Sequence, residues 1–262
     1  MPQDYFAAKT GDEERQRIAG LEAVYDAFTL RRLLAAGLGP GCRCLEIGAG
    51  GGSIARAMGE HSGVRAVAVD MDPRFLEHDH AAYEVRQLDV TGADALGSER
   101  FDLIHCRFLL MHLPDPAAVI ETLAARLSPG GALVVEEPDM LGWRPADPNA
   151  DGSALASHVL GTALRAVEAA GVWQNAIGPR VPALMQHAGL DASDCEGSCW
   201  IMETERPEVM ALMLQSLELI ASHGLAAGAL HETEVRELHE RIAARSLALV
   251  SPTLFSSIGL RR

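Results

Sequence analysis

The sequence predicts an α/β protein, a doubly wound, Rossmann-like sheet of seven strands with N-terminal helices and helical insertions near the last strands. Three observations predict it. Short apolar runs, "CRCLEI", "VRAVAVD", "YEVRQLDV", "FDLIHC" and "GALVVEE", recur through the first half of the chain. Strands buried on both faces read as continuous apolar runs of this kind. Helix-like stretches separate them, which implies parallel β-α-β units. A burst of glycines follows the first run, where a strand turning into a helix presents its backbone to a ligand.

The elements follow in order. Ile18, Leu21, Val24, Phe28, Leu33 and Leu34 recur at helical spacing over residues 12–36, and "GLGPG" stops the pattern. Helices are expected between the strands at 52–60, 73–82 and 116–127. After "EEPD" the rhythm breaks into the Pro- and Gly-rich "MLGWRPADPNADG". Helical stretches follow at 153–170, 181–188, 207–223 and 232–249. "SDCEGSCWIME" and "SPTLFSSIGL" read as the last two strands. No internal repeat or low-complexity segment interrupts this order.

Composition narrows the function classes. The chain of 262 residues has 48% hydrophobic and 22% charged residues, the make-up of a soluble globular protein. Its 36 acidic against 22 basic residues give a net charge of -14. A grip on a phosphate backbone or an anionic bilayer needs a basic face, so neither nucleic acid nor membrane is expected as a partner. No run reads as long enough to span a bilayer, and the acidic N-terminus lacks the pattern of a signal peptide. A cytoplasmic protein, monomer or homodimer, is expected. Cys42, Cys44, Cys106, Cys195 and Cys199 form no C-x-x-C pair, so free thiols are expected rather than disulfides or a structural zinc site.

The turn after the first strand reads Glu46-Ile47-Gly48-Ala49-Gly50-Gly51-Gly52-Ser53. A dinucleotide fingerprint counted from Gly48 would need glycine where Ser53 stands; the spacing that fits is E-x-G-x-G-x-G. Glu46 opposes a pyrophosphate and favours a ligand bearing positive charge. Asp70, ending the second strand, is placed to accept the hydroxyls of a ribose, and Met71 beside it to pack on an adenine face. Asp89, after the third strand, is placed to accept an adenine amino group. A sugar, an amino-purine and a cation without phosphate describe S-adenosylmethionine.

"LEIGAGGGSIA", "VAVDMDPRFL", "RQLDV", "FDLIHCRFLLMHLPDP" and "LSPGGALVVEEPD" together resemble the successive motifs of class I S-adenosylmethionine-dependent methyltransferases, most closely the small-molecule enzymes of natural-product pathways. The resemblance covers residues 41–139. It implies that Glu46, Gly48 and Gly50 contact the methionine part, Asp70 the ribose, and Asp89 with Val90 the adenine, with Gly52, Ser53 and Met71 also among the cofactor-binding residues. It further implies that Cys106, Arg107 and Phe108 line the methyl-donor end, and that Tyr5 or Tyr25 caps the cofactor. Residues 1–38 then form an N-terminal helical lid, 39–140 the cofactor-binding core, and 141–262 the remaining strands with inserted helices as a substrate cap.

Methyl transfer is an in-line displacement at a carbon activated by the sulfonium, so the protein chiefly aligns the reactants and excludes water. His112 in "LLMHLPDP" is the candidate base for a hydroxyl or amine acceptor. Tyr5, Phe108, Met111, Glu137, Asp139 and Trp143 are the candidate substrate residues. His105 reads as a satisfied core histidine, His78 and His80 as a solvated helix end, and the methionine-rich "VMALMLQSLELI" as core. No metal is expected, because Glu136, Glu137, Asp139 and His112 lack a ligand spacing. The expected function is methylation of an oxygen, nitrogen or carbon of a small, partly apolar metabolite in secondary metabolism. The alternative is a methyltransferase fold that holds the cofactor structurally and catalyses a cyclisation or rearrangement.

Overall fold

Each of the five apolar runs forms a strand: β1 (Arg43–Ile47), β2 (Arg65–Asp70), β3 (Tyr83–Gln87), β4 (Phe101–Arg107) and β5 (Leu127–Asp139). β1 pairs in parallel with both β2 and β4, β2 with β3, and β4 with β5. With β7 (Asp191–Ser198) and β9 (Thr253–Leu260) they make one seven-stranded mixed sheet, in the order β3-β2-β1-β4-β5-β9-β7. The strand order reverses between β1 and β4, and such a sheet binds its ligands beyond the carboxyl ends at that point.

The computed structural model describes residues 11–92, 96–202 and 205–262. Two compact units are distinguished among them. The sheet unit comprises Tyr25–Glu137, Ile177–Gly197 and Phe255–Arg262. The helical unit takes the described residues up to Val24 together with Pro138–Ala176 and Ser198–Leu254. Each is drawn from three separate stretches, where the sequence suggested consecutive ones. Helix α1 (Gly11–Ala35) gives its first half to the helical unit and its second half to the sheet unit.

In the sheet unit, α2 (Ser53–Gly59) packs on β1 and β2, and α3 (Pro116–Ala125) packs on α5 (Val181–His187). Leu33 of α1, Met58, Leu103, Val134 and Ile258 meet in one buried cluster. In the helical unit, α4 (Ser153–Ala169), α6 (Pro207–Ala226) and α7 (Glu232–Ala243) pack on one another, beside a short antiparallel ribbon of β6 (Arg144–Pro145) and β8 (Leu249–Val250). Gly20 lies so close to α6 that a Cβ would sit 2.6 Å from the Glu208 carbonyl oxygen. Contrary to the sequence reading, α6 is long and apolar enough by length and composition to cross a membrane. Its Val209, Leu212, Met213, Leu217 and Ile220 are buried in the protein.

Three other expectations change. The helix expected at 73–82 is one 3-10 turn, Pro73–Phe75, with Asp72 accepting from the Arg74 N–H. Past the buried Leu76 the residues Glu77, His78 and Asp79 are exposed, so nothing apolar recurs one turn on to hold a helical face. Instead His80 stacks on Tyr83 and accepts from the Ala82 N–H, so it ends no helix. Helix α7 stops short of residue 249, with Arg245 at φ 58, and the apolar residues after it enter β8. The strand expected at 193–203 ends at Ser198, and Ile201 bridges Val250 of the ribbon.

Candidate functional site

The glycine turn is held by backbone on one side and by a carboxylate on the other. Gly48 and Ala49 N–H both donate to the Val69 carbonyl, at 2.8 and 3.1 Å. Gly48, Gly50 and Gly52 have φ of 69°, 54° and 81°, which side chains disfavour, and a Cβ at Gly52 would strike Leu76 and the Tyr83 hydroxyl at 2.9 Å. Ser53 opens α2 directly after the turn. Asp70 Oδ2 accepts from Gly50 N–H at 3.0 Å and Oδ1 from Asp72 N–H at 2.9 Å. The acid at the tip of β2 therefore shapes the turn after β1. Burial lifts its carboxyl above the ordinary aspartate value, against the pull of these N–H groups.

Asp89 lies exposed beyond β3, accepting from the hydroxyl and N–H of Thr91, which hold it below the ordinary value. Val90 beside it is buried, and Met71 is 42% exposed at the tip of β2. The charged members of the predicted set at these three tips, Glu46, Asp70 and Asp89, are all carboxylates. Hydroxyls, amines and cations are what such groups bind, and a bare phosphate is what they repel, so they fit S-adenosylmethionine.

At the end of β4, Phe108 takes φ 53° and meets Tyr25 of α1 edge to face, with centroids 5.1 Å apart. Leu109, Leu110 and Met111 N–H all donate to the Glu137 carboxylate, at 2.8, 2.6 and 3.2 Å. These bonds hold the short 3-10 turn Leu110–His112. Glu137 is fully buried and both its oxygens serve the turn, so it shapes the segment carrying His112 instead of presenting a carboxylate to an acceptor. Burial pushes its carboxyl up to about 7, outweighing the three N–H donors. His112 is half-buried at the end of that turn, and Met111 is buried.

Between α1 and one face of the sheet lies a buried polar cluster. His105 Nδ1 stands 2.6 Å from Glu46 Oε2, and its Nε2 3.5 Å from Glu136 Oε2. Thr29 of α1 donates to Glu136 Oε2 and accepts from Arg107 Nη1 at 2.8 Å, while Arg107 Nη2 donates to Asp26 at 2.8 Å. Glu46 is thus engaged inside the protein as well as standing at the tip of β1. Asp26, Thr29 and Glu136 were not singled out as members of such a cluster, and His105 was read as core. The legible signal was charge inside the apolar runs "FDLIHCR" and "ALVVEEPD".

The remaining predicted residues fall elsewhere. Cys106 is fully buried, in register with Ile47 and Val135, and burial pushes its thiol well above the ordinary range. Asp139 and Trp143 belong to the helical unit, where Asp139 accepts from the Leu141 N–H and Trp143 is buried. Tyr5 lies outside the described residues.

The family described as "Methyltransferase domain" matches residues 15–173, more than half of the chain. The chain belongs to the S-adenosylmethionine-dependent methyltransferases. Among curated relatives of this methyltransferase, the ubiquinone biosynthesis O-methyltransferase of Xanthomonas campestris pv. campestris is 35% identical over 103 residues, 36% of this chain and 42% of the relative. The protein of that name from Coxiella burnetii is 33% identical over 102 residues, with the same shares. The chain therefore spans about two fifths of the length of the curated relatives it matches. The solved S-adenosylmethionine-dependent methyltransferase of Geobacter sulfurreducens, bound to S-adenosylhomocysteine, has a TM-score of 0.52 at 18% identity, covering 94% of this chain and 98% of that one. That likeness is one of fold.

Proposed function

We propose that this methyltransferase methylates a small, partly apolar metabolite, with a hydroxyl oxygen as the acceptor to test first. The observation that carries the reading is the line of Glu46, Asp70 and Asp89 on three adjacent parallel strand tips, with Asp70 bonded into the glycine turn. When bound, S-adenosylmethionine supplies a methyl group on a cationic sulfur. Glu46 gives the tip of β1 a charge that favours the cationic amino-acid end. Asp70 keeps lone pairs for the ribose hydroxyls beyond those given to Gly50 and Asp72. Asp89 and Val90 receive the adenine. His112, ending the turn held by Glu137, takes the proton of the acceptor hydroxyl.

The names of the matched relatives support oxygen as the acceptor atom. The net charge of -14 supports a small molecule over a nucleic acid. The decisive experiment is calorimetric titration with S-adenosylhomocysteine, followed by a phenol, catechol and amine panel read by mass spectrometry. Binding with a gain of one methyl on a hydroxyl compound is expected; methylation confined to amines would overturn the choice of oxygen. Asp70→Ala is expected to weaken cofactor binding by about 1.5–3 kcal/mol, the scale of charge-assisted hydrogen bonds. Unchanged affinity in the same titration would remove Asp70 from the site.

A further inference from the structure

A histidine with no exposure, enclosed by two carboxylates, needs an explanation that packing does not supply. An aliphatic side chain would fill the same space without taking two charged groups out of water. Glu46 and His105 are register partners on adjacent strands, as are Arg107 and Glu136, and residues two apart share a face. All four side chains therefore point to the same face, across three neighbouring strands and beneath α1. Gly48, the first glycine of the turn, is two residues beyond Glu46 on the same strand end.

Both ring nitrogens of His105 face carboxylate oxygens. Nδ1 is hydrogen-bonded to Glu46, whereas Nε2 reaches Glu136 at ion-pair distance and has no hydrogen-bond partner; a neutral imidazole would set a lone pair towards one of those anions, and the imidazolium sets a proton towards each. The groups that face the ring are Glu46 from β1 and Glu136 from β5, with Glu137 of β5 also within its field; Arg107 from β4 itself and Thr29 and Asp26 from α1 stand behind Glu136, and the neutral thiol of Cys44 lies near Glu46. Arg107 is committed to Asp26 and Thr29, so the cation nearest Glu46 is His105.

We propose that His105 is a positioning residue of the cofactor site: as an imidazolium bonded to Glu46 and standing within ion-pair distance of Glu136, it favours the carboxylate form of Glu46 at the tip of β1. The inference rests on the reading above that Glu46 faces the cationic end of the cofactor. Burial raises the Glu46 carboxyl above the ordinary glutamate value on balance, and His105 is the first of the groups that oppose this and limit the rise. The ring is itself held protonated, up to about 9, because the two glutamates outweigh its burial. Without that cation Arg107 is the one named group left to oppose burial, and Glu46 shifts further towards its neutral form.

The test compares S-adenosylmethionine binding by calorimetry in the wild type, Glu46→Gln, His105→Gln and the double variant. Folding of each is checked by circular dichroism. His105→Gln is expected to lose about tenfold in affinity at neutral pH, the scale of one hydrogen bond to a charged group. That loss is expected to shrink as the pH rises and Glu46 ionises, and the double variant to be no weaker than Glu46→Gln. A loss that stays constant with pH, or that adds in full to that of Glu46→Gln, makes His105 merely structural and overturns the proposal. Wild-type affinity in His105→Gln beside a weakened Glu46→Gln overturns it while leaving Glu46 in the site. Wild-type affinity in both removes Glu46 itself. Should His105→Gln not fold, nitrogen-15 spectra of the wild-type histidines decide: one ring is expected to stay an imidazolium at about pH 8, where ordinary histidines are neutral. Ten neutral rings would overturn the proposal.

Discussion

Glu136 and Glu137 are neighbours on one strand, both fully buried, yet the protein treats them in opposite ways. Alternation along β5 sends them to opposite faces of the sheet. Glu136 meets His105, Thr29 and the field of Arg107, and is held below the ordinary glutamate value despite burial. Glu137 meets the N–H groups of Leu109, Leu110 and Met111, and burial raises it to about 7. At Glu137 neutral backbone dipoles oppose desolvation only in part, whereas at Glu136 the combined pull of His105, Arg107 and Thr29 reverses it. The difference separates two duties: Glu136 ties α1 to the strand ends through charge, and Glu137 shapes the turn that carries His112.

The largest effect is expected from removing the charged partner. Glu136→Ala leaves Glu46 as the one carboxylate beside the buried His105, takes the acceptor from Thr29 and opens a cavity, and should cost about 3–5 kcal/mol in urea denaturation. A loss near zero would mean that the cluster is solvated. Next comes the pH dependence, where the two glutamates have opposite signs. Glu137, raised in the folded state, contributes stability that is fully present below the ordinary glutamate value of 4.5 and is lost as pH rises through about 7. The displacement is worth on the order of 3 kcal/mol. Glu136, lowered in the folded state, contributes stability present above 4.5 and lost as pH falls through its folded value. Denaturation of the wild type and Glu137→Gln across about pH 4 to 9 should show the decline between the ordinary glutamate value and about 7 in the wild type alone, while both decline above about 6.5 as His105, held up to about 9, loses its proton. Parallel curves would contradict the assignment.

The smallest effect is expected for Glu137→Gln at mildly acid pH. One amide oxygen still accepts from the turn, while the amide nitrogen faces a donor, so a cost of about 1 kcal/mol is expected. Above about pH 8 that cost should fall, because the variant no longer buries a charge. If instead the penalty grows with pH, the ionised form of Glu137 is the one the turn needs.

Much of the fold was legible because it is written in local patterns. The five apolar runs became the five parallel-paired strands, and the glycines spaced at 48, 50 and 52 became the positive-φ turn. Asp70 and Asp89 stood where a strand reading put them, at and beyond the ends of β2 and β3. The segment 73–82 failed as a helix because its propensity had no apolar stripe to act on, and burial of Leu76 and Tyr83 against Gly52 decided its path. The ribbon of β6 and β8 escaped notice because two-residue strands carry no period. Cys106, Met111 and Glu137 were placed in the right segment, but their side chains turned inward, which strand direction and register decide.

Periodicity and spacing by themselves determined the class of sheet, the turn after its first strand and the acids on its tips, because each depends on residues close together in the chain. Only the tertiary structure decided that residues 26, 29, 46, 105, 107 and 136 form one cluster, buried at residues 29, 46, 105 and 136 and half-buried at 26 and 107. Their meeting depends on parallel register between β1, β4 and β5 and on α1 lying across one face. The charge state of each group follows from which of these neighbours it meets once water is excluded.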